Sequence, residues 1–325
     1  METATLASFV AYLISNHFMR SLLNFIEINL LFLAIAIAAL GLIWPVAGIF
    51  LEQYIGVLLA TLMFVISLTF DAKAVKLVLK RPNRQLWALF LVYGPMSLAG
   101  WLTGRLFFGS GHLATGQTLL GTLPTDVSAP LLVLLARGNV ALAAVLNAVN
   151  TLLAPFIVPF LFLLLTGVEL AVPVTLIIVE LIFIVVVPTI AGVYLRTRFP
   201  KQIMRYDHSY AALGSVVYLC LLLSVVGPNA ETIINYGWYA VIIALAALSL
   251  NLIGYALAYT TKLFITDKEE LIAYFFIVSK KEFSIAAAFV VASDLPREIA
   301  IPAAFFAVIQ MITSPLAAKL LSKHR

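Results

Sequence analysis

Residues 271–292 read LIAYFFIVSKKEFSIAAAFVVA. Two ammonium groups and a carboxylate, Lys280, Lys281 and Glu282, interrupt an apolar run of the length that crosses a bilayer, about 20 residues. Placing the charges in a loop leaves SIAAAFVVASD on its own, which is too short to span. The run is therefore one span with charges inside it. On an intact helix successive residues project about 100° apart, so the three charges share one site only where the helix unwinds. No Gly or Pro marks that break; the charges alone predict it.

The rest of the chain fits the same setting. Of 325 residues 63% are hydrophobic and 11% charged, against about 25% charged in soluble domains. The chain reads as an all-α integral membrane protein. Ten spans are expected, at 27–50, 54–72, 86–108, 113–136, 139–166, 171–196, 208–227, 236–262, 269–292 and 298–320. Residues 1–26, with Ser15, Asn16, His17 and Arg20, read as an interfacial segment. The single cysteine, Cys220, excludes an internal disulfide framework.

All but four of the 20 Lys and Arg residues fall on one side of this arrangement. The exceptions are Arg105, Arg297 and the two lysines of span nine. The positive-inside rule then puts both termini in the cytoplasm, with the protein in the plasma (inner) membrane. Basic residues confined to span ends do not make a nucleic-acid surface, so no nucleic-acid partner is expected. The partners expected are the lipid bilayer and a small molecule. Ten spans divide into halves of five, 27–166 and 167–325, and an odd number inverts the second half. Asn150-Thr-Leu-Leu-Ala-Pro155 and Gln310-Met-Ile-Thr-Ser-Pro315 place an amide five positions before a proline in spans five and ten. Both features suggest an inverted repeat, a frequent plan of secondary transporters.

In lipid the informative residues are polar, because burying them is costly. Span four carries PTDVSAP at 124–130. Its two prolines predict an unwound segment around Asp126 and Ser128, tolerated at depth only where it is buried in protein or lines a cavity. Span five offers Asn147 and Asn150, span eight Asn251, span nine Lys280, Lys281, Glu282 and Ser284, and span ten Gln310. Glu180 of span six leaves two readings open, an ion pair with a span-nine lysine or a protonated structural carboxyl. These residues make the expected substrate or ion site. Catalysis finds no support: the four histidines sit near span ends, and no HExxH, GxSxG or CxxC occurs. No metal or cofactor site is expected.

LLARGNVALAAVLNAVNTLLAPFIVPFLFLLLTG at 134–167 resembles the fourth-to-fifth-span region of the bile acid:sodium symporter family. LMFVISLTFDAKAVKLVLKRP at 62–82 is similar to its second span and basic loop. PTDVSAP and VSKKEFSIAAAF occupy its two crossover segments. The resemblance covers nearly the whole chain from about residue 27. It implies a panel and a core of helices, with broken helices four and nine crossing at mid-membrane. It also implies an organic-anion substrate and sodium-driven alternating access. The family's sodium ligands do not carry over. Ala129 and Pro130 stand where the family pattern has Ser-Asn, and Ala143 and Asn147 where it has hydroxyls. Ile277 stands where it has Glu, and Lys281 where it has Gln. Nor does span four have the cysteine expected of related arsenite exporters.

These departures suggest that a lysine, Lys281 first and Lys280 second, occupies the place of a sodium ion with Asp126 as counter-ion. Na⁺ or H⁺ remains the coupling ion to be decided. The leading expectation is a secondary transporter of a small organic anion. The alternatives are a cation/proton antiporter using Asp126 and Lys281, and a non-transporting membrane sensor.

Overall fold

The computed structural model describes residues 29–69, 82–168, 170 and 172–323. Among them every regular element is helical. The expected interfacial segment and most of the basic loop at 73–81 lie outside the described residues.

The chain opens with α1 (Leu30–Ile43) and α2 (Val46–Glu52), which meet at 102°. The expected straight span over 27–50 is thus replaced by a bent pair. Pro45, at the bend, has no N–H to continue the α1 ladder. α3 (Ile55–Ser67) follows. Beyond the undescribed stretch, α4 (Pro82–Tyr93) and α5 (Pro95–Phe108) run on through Gly94 as one crossing length, Pro82–Phe108. α6 (His112–Thr122) and the short α7 (Ala129–Leu135) are the two halves of the expected fourth span. α8 (Val140–Thr166) is continuous through Pro155 and Pro159.

In the second half, α9 (Val174–Leu181) passes through a π turn at Ile182–Val186 into α10 (Val187–Arg198). Pro188 lies just past that turn and cannot donate to the carbonyl four residues back, which favours the local widening. α11 (Pro200–Met204) leads to α12 (Asp207–Val226), and α13 (Ala230–Tyr236) bends away by 66°. Gly227 and Pro228 form that bend. α14 (Tyr239–Tyr259) is straight. α15 (Lys268–Ser279) and α16 (Phe283–Ala292) are the two halves of the expected ninth span, and α17 (Ile301–Lys323) ends the fold.

Among the described residues five helices are each long and apolar enough to cross a membrane, and the two bent pairs raise the number to seven. The remaining expected spans are the two interrupted ones and 54–72, which runs into undescribed residues. Large apolar side chains such as Phe32, Leu106, Phe160 and Phe183 are exposed around the bundle, as a lipid-facing surface requires. Inside, small residues bring helices together. A Cβ on Gly100 would lie 2.6 Å from the Cα of Gly121, so α5 and α6 touch backbone to backbone. A Cβ on Gly254 would lie 2.6 Å from the Cα of Ser279, which seats α14 against the end of α15. These contacts hold the two interrupted spans in place.

Candidate functional site

The two interruptions face each other inside the bundle. Leu123 ends α6 in an extended conformation, ψ 153°, as a residue before proline prefers. Pro130 sits in the first turn of α7, where its missing N–H costs nothing. Pro124 stands at the start of the unwound segment 123–128 and Pro130 just beyond its end. Opposite it, Lys280 is extended, ψ 141°, and α16 starts only at Phe283.

The segments are joined through backbone and side chain. Glu282 N–H donates to the Pro124 carbonyl at 3.0 Å, and Val127 N–H donates to Glu282 Oε2 at 3.0 Å. Thr125 Oγ1 donates to the Ile277 carbonyl at 2.6 Å. Neighbouring helices satisfy the other freed groups. Asn251 Nδ2 donates to the Ser279 carbonyl at 2.9 Å. Gln310 Oε1 accepts from Lys281 N–H, and its Nε2 donates to the Lys281 carbonyl and to Asp126 Oδ2. Asn150 Nδ2 donates to Thr125 Oγ1 at 3.1 Å, and Asn147 Nδ2 reaches the Asp126 carbonyl at 3.4 Å. An unwound backbone survives away from water only with such partners.

The opening puzzle, three consecutive charges in an apolar run, resolves in this geometry. Along an extended chain successive side chains point to opposite sides. Lys280 and Glu282 therefore reach the 126–128 segment, and Lys281 points away from it. Lys280 Nζ pairs with Asp126 Oδ1 at 3.2 Å and also donates to Ser128 Oγ. Ser128 Oγ–H in turn bonds Asp126, and Ser284 Oγ–H bonds Glu282. Lys281 Nζ donates to two backbone carbonyls, Leu123 O at 2.7 Å and Val92 O at 3.0 Å. Asp126, Lys280, Lys281 and Glu282 are all at most 3% exposed. The cluster brings together two lysines and two carboxyl groups. At 3.2 Å and an effective dielectric of about 20, the Lys280–Asp126 attraction is roughly 5 kcal/mol before desolvation.

Ten of the eleven residues expected at the site, all but Glu180, are gathered here. Two details differ from expectation. Asp126 is partnered by Lys280, the second choice, because strand-like alternation turns Lys281 to the other side. Glu180 is exposed and makes no ion pair with a described residue, because it sits on the outward face of α9. Three participants had not been singled out: Thr125, Tyr93 and Tyr218. Tyr93 O–H donates to the Asn150 carbonyl at 2.6 Å. Tyr218, from α12, lays its ring 4.8 Å from that of Phe283. Its buried hydroxyl lies close to Gln310 without completing a hydrogen bond. Thr125 was legible inside PTDVSAP; nothing in the apolar surroundings of the two tyrosines set them apart. Among the described residues no group of His, Cys, Asp and Glu is arranged to hold a metal.

Comparison with known proteins identifies the family. The profile of the sodium bile acid symporter family matches residues 56–236, more than half of the chain. An uncharacterized sodium-dependent transporter of Bacillus subtilis, YocS, is 27% identical over 293 residues, 89% of each chain. The uncharacterized protein YbaS of the same organism is also 27% identical, over 86% of this chain and 94% of its own. A probable sodium/metabolite cotransporter of Arabidopsis thaliana chloroplasts, BASS1, is 28% identical over 54% of this chain and 43% of its own.

Proposed function

The chain belongs to the sodium bile acid symporter family, and from that premise we propose that it carries a small organic anion across the membrane by alternating access, with the Lys281 ammonium standing in the place of a coupling cation. Its family makes it a membrane transporter and not an enzyme. The observation that carries the specific proposal is the seat of Lys281. An ammonium held by the carbonyls of Val92 and Leu123 does what a monovalent cation does, neutralising carbonyl dipoles freed at a helix break.

Ten spans in two inverted halves, 27–166 and 167–325, are part of the same reading. The roles of two amides support it. Asn150 bonds the break of the first half and Gln310 that of the second, and both stand five residues before a proline. In this reading a panel of α1–α3, α9–α10 and α12 rocks against a core of the other long helices, and solute binds at the crossing. The basic ends of α10 and α17 lie in the cytoplasm. The oxygen set does not favour sodium: Ser128 and Ser284 are committed to carboxylates, and Lys281 takes the carbonyls.

The test is thermal unfolding of the purified protein in sodium chloride against choline chloride. A ligand that binds only the folded state raises the melting temperature. The proposal expects equal melting temperatures; a rise with sodium refutes the lysine substitution. The second reading, a proton-coupled carrier or antiporter, is favoured by the buried Lys280–Asp126 pair. It expects pH-dependent transport that disappears in Lys280→Gln.

A further inference from the structure

The two helix groups meet along α8 with α9, along α17 with α1 and α12, and, on the face opposite the basic one, through α16. There α16 packs against α3, α9 and α12. The other halves of the broken spans, α7 and α15, pack against helices of their own group, α8 and α17 for α7, and α4, α8 and α14 for α15. On that same face Arg297, in the turn before α17, pairs with Glu52 at the end of α2, with Nε 2.6 Å from Oε1. The ion pair bridges the groups where the chain would have to part to admit solute from that side.

What lies on either side of the pair is informative. The pair itself, with Ile49, Phe50, Gln53, Asp294 and Leu295, lines a cleft of about 570 Å³. Beneath it is a void of about 20 Å³, room for a single water, between Ser224 and Asn229 of one group and Ala287 of the other. Ser224, Leu221 and Tyr218 follow one another at intervals of three along a single face of α12. Ala287 and Phe283 do the same, four apart, on α16. The Tyr218–Phe283 ring contact therefore lies one to two turns further along the same two faces, with Gln310 and the crossing next to it.

We propose that Glu52–Arg297 and Tyr218–Phe283 are the two layers of an outer gate, and that the protein is held closed to the outside by them. The inference rests on the alternating-access reading. The ion pair suits the task because it is weak. Arg297 is 60% exposed and Glu52 15%, and pairs in such settings hold by a small margin. A bridge of that strength biases the closed state and still lets it open within each cycle. The orphan hydroxyl of Tyr218 sits at the lower layer, so opening that layer uncovers a free polar group facing the crossing.

The experiment reads the gate without requiring any solute. Cys220 is replaced by Ser, which removes the single native thiol. Ser224→Cys then places an isosteric thiol between the layers, with Ala287→Cys as a second reporter on the facing helix. Labelling by a membrane-impermeant, positively charged methanethiosulfonate added outside intact cells is timed. Arg297→Gln is expected to speed labelling roughly two- to fivefold, the population shift a pair of this strength supports. The charge exchange Glu52→Arg with Arg297→Glu is expected to return it to the starting rate. Unchanged labelling in Arg297→Gln at both reporters overturns the proposal, as does fast labelling that persists in the exchanged pair. Because labelling is independent of transport, a protein that carries nothing in an uptake assay still gives a clear answer about the gate.

Discussion

If Lys281 stands in for a sodium ion as proposed, replacing it by Ala should make the protein respond to sodium where the parent does not. The substitution removes the ammonium and most of its stem, leaving the carbonyls of Leu123 and Val92 buried without their donor. Each orphaned carbonyl costs about 1–3 kcal/mol, so Lys281→Ala in choline should lose roughly 2–6 kcal/mol. The vacated volume lies beside two inward-pointing oxygens, the kind of opening a monovalent cation can enter. A cation bound at about 100 times its Kd would restore roughly 2.7 kcal/mol. At about 2–4 °C per kcal/mol, that is roughly 5–10 °C in melting temperature between sodium and choline at equal ionic strength. Lys281→Met is the control: it loses the charge and keeps the space filled. It should be destabilised equally in both salts. The reasoning fails if Lys281→Ala melts with the parent protein in choline, because the carbonyl bonds then hold nothing. It fails equally if the parent itself is stabilised by sodium.

Other outcomes follow from neighbouring residues. Asp126→Asn strands the Lys280 ammonium in the interior and should cost about 3–5 kcal/mol, whereas the double change Asp126→Leu with Lys280→Leu should cost less than the single one, measured by thermal unfolding. Tyr218→Phe deletes a buried hydroxyl that has no hydrogen-bond partner, so stability should stay level or rise by about 1 kcal/mol. Gly254→Val forces a side chain against the backbone of Ser279 and should destabilise by at least about 1–3 kcal/mol, with loss of monodisperse protein in size-exclusion chromatography. Glu180→Gln touches no partner and should stay within about 0.5 kcal/mol of the parent.

The sequence made the broken helices legible because their signals are costly ones. Two prolines six residues apart and three adjacent charges are not tolerated in a lipid-exposed helix, so each predicted an interruption, and both interruptions are found. The amides Asn147, Asn150 and Gln310 were legible for the same reason: an unpaired amide in hydrocarbon needs a purpose. Which lysine meets Asp126 was not legible, because it depends on where unwinding starts. A break beginning one residue later would exchange the sides to which Lys280 and Lys281 point. Glu180 misled because composition cannot tell an inward face from an outward one when both are apolar. Tyr93 and Tyr218 stayed hidden because a tyrosine in a span is ordinary until its hydroxyl is seen beside a polar cluster. The bend at Pro45 was missed for a related reason, since α1 and α2 together have the length of a straight span.

A tethered cation changes what the crossing can do. A sodium ion that enters from one side and leaves on the other carries the free energy of its gradient into the cycle. On the proposed reading, an ammonium fixed to residue 281 balances the same carbonyl dipoles yet never dissociates, so it contributes geometry and no work. The energy for accumulation must then come through a group that exchanges with solvent or through the solute's own gradient. Lys280 and Asp126 face each other across the crossing as a buried pair, 3.2 Å apart. Lys281 is fully buried behind it, with its ammonium turned to the backbone. On the proposed reading the two adjacent lysines have separate tasks: Lys281 ties the end of α6 to α4 through two carbonyls, and Lys280 joins the two breaks by its pair with Asp126.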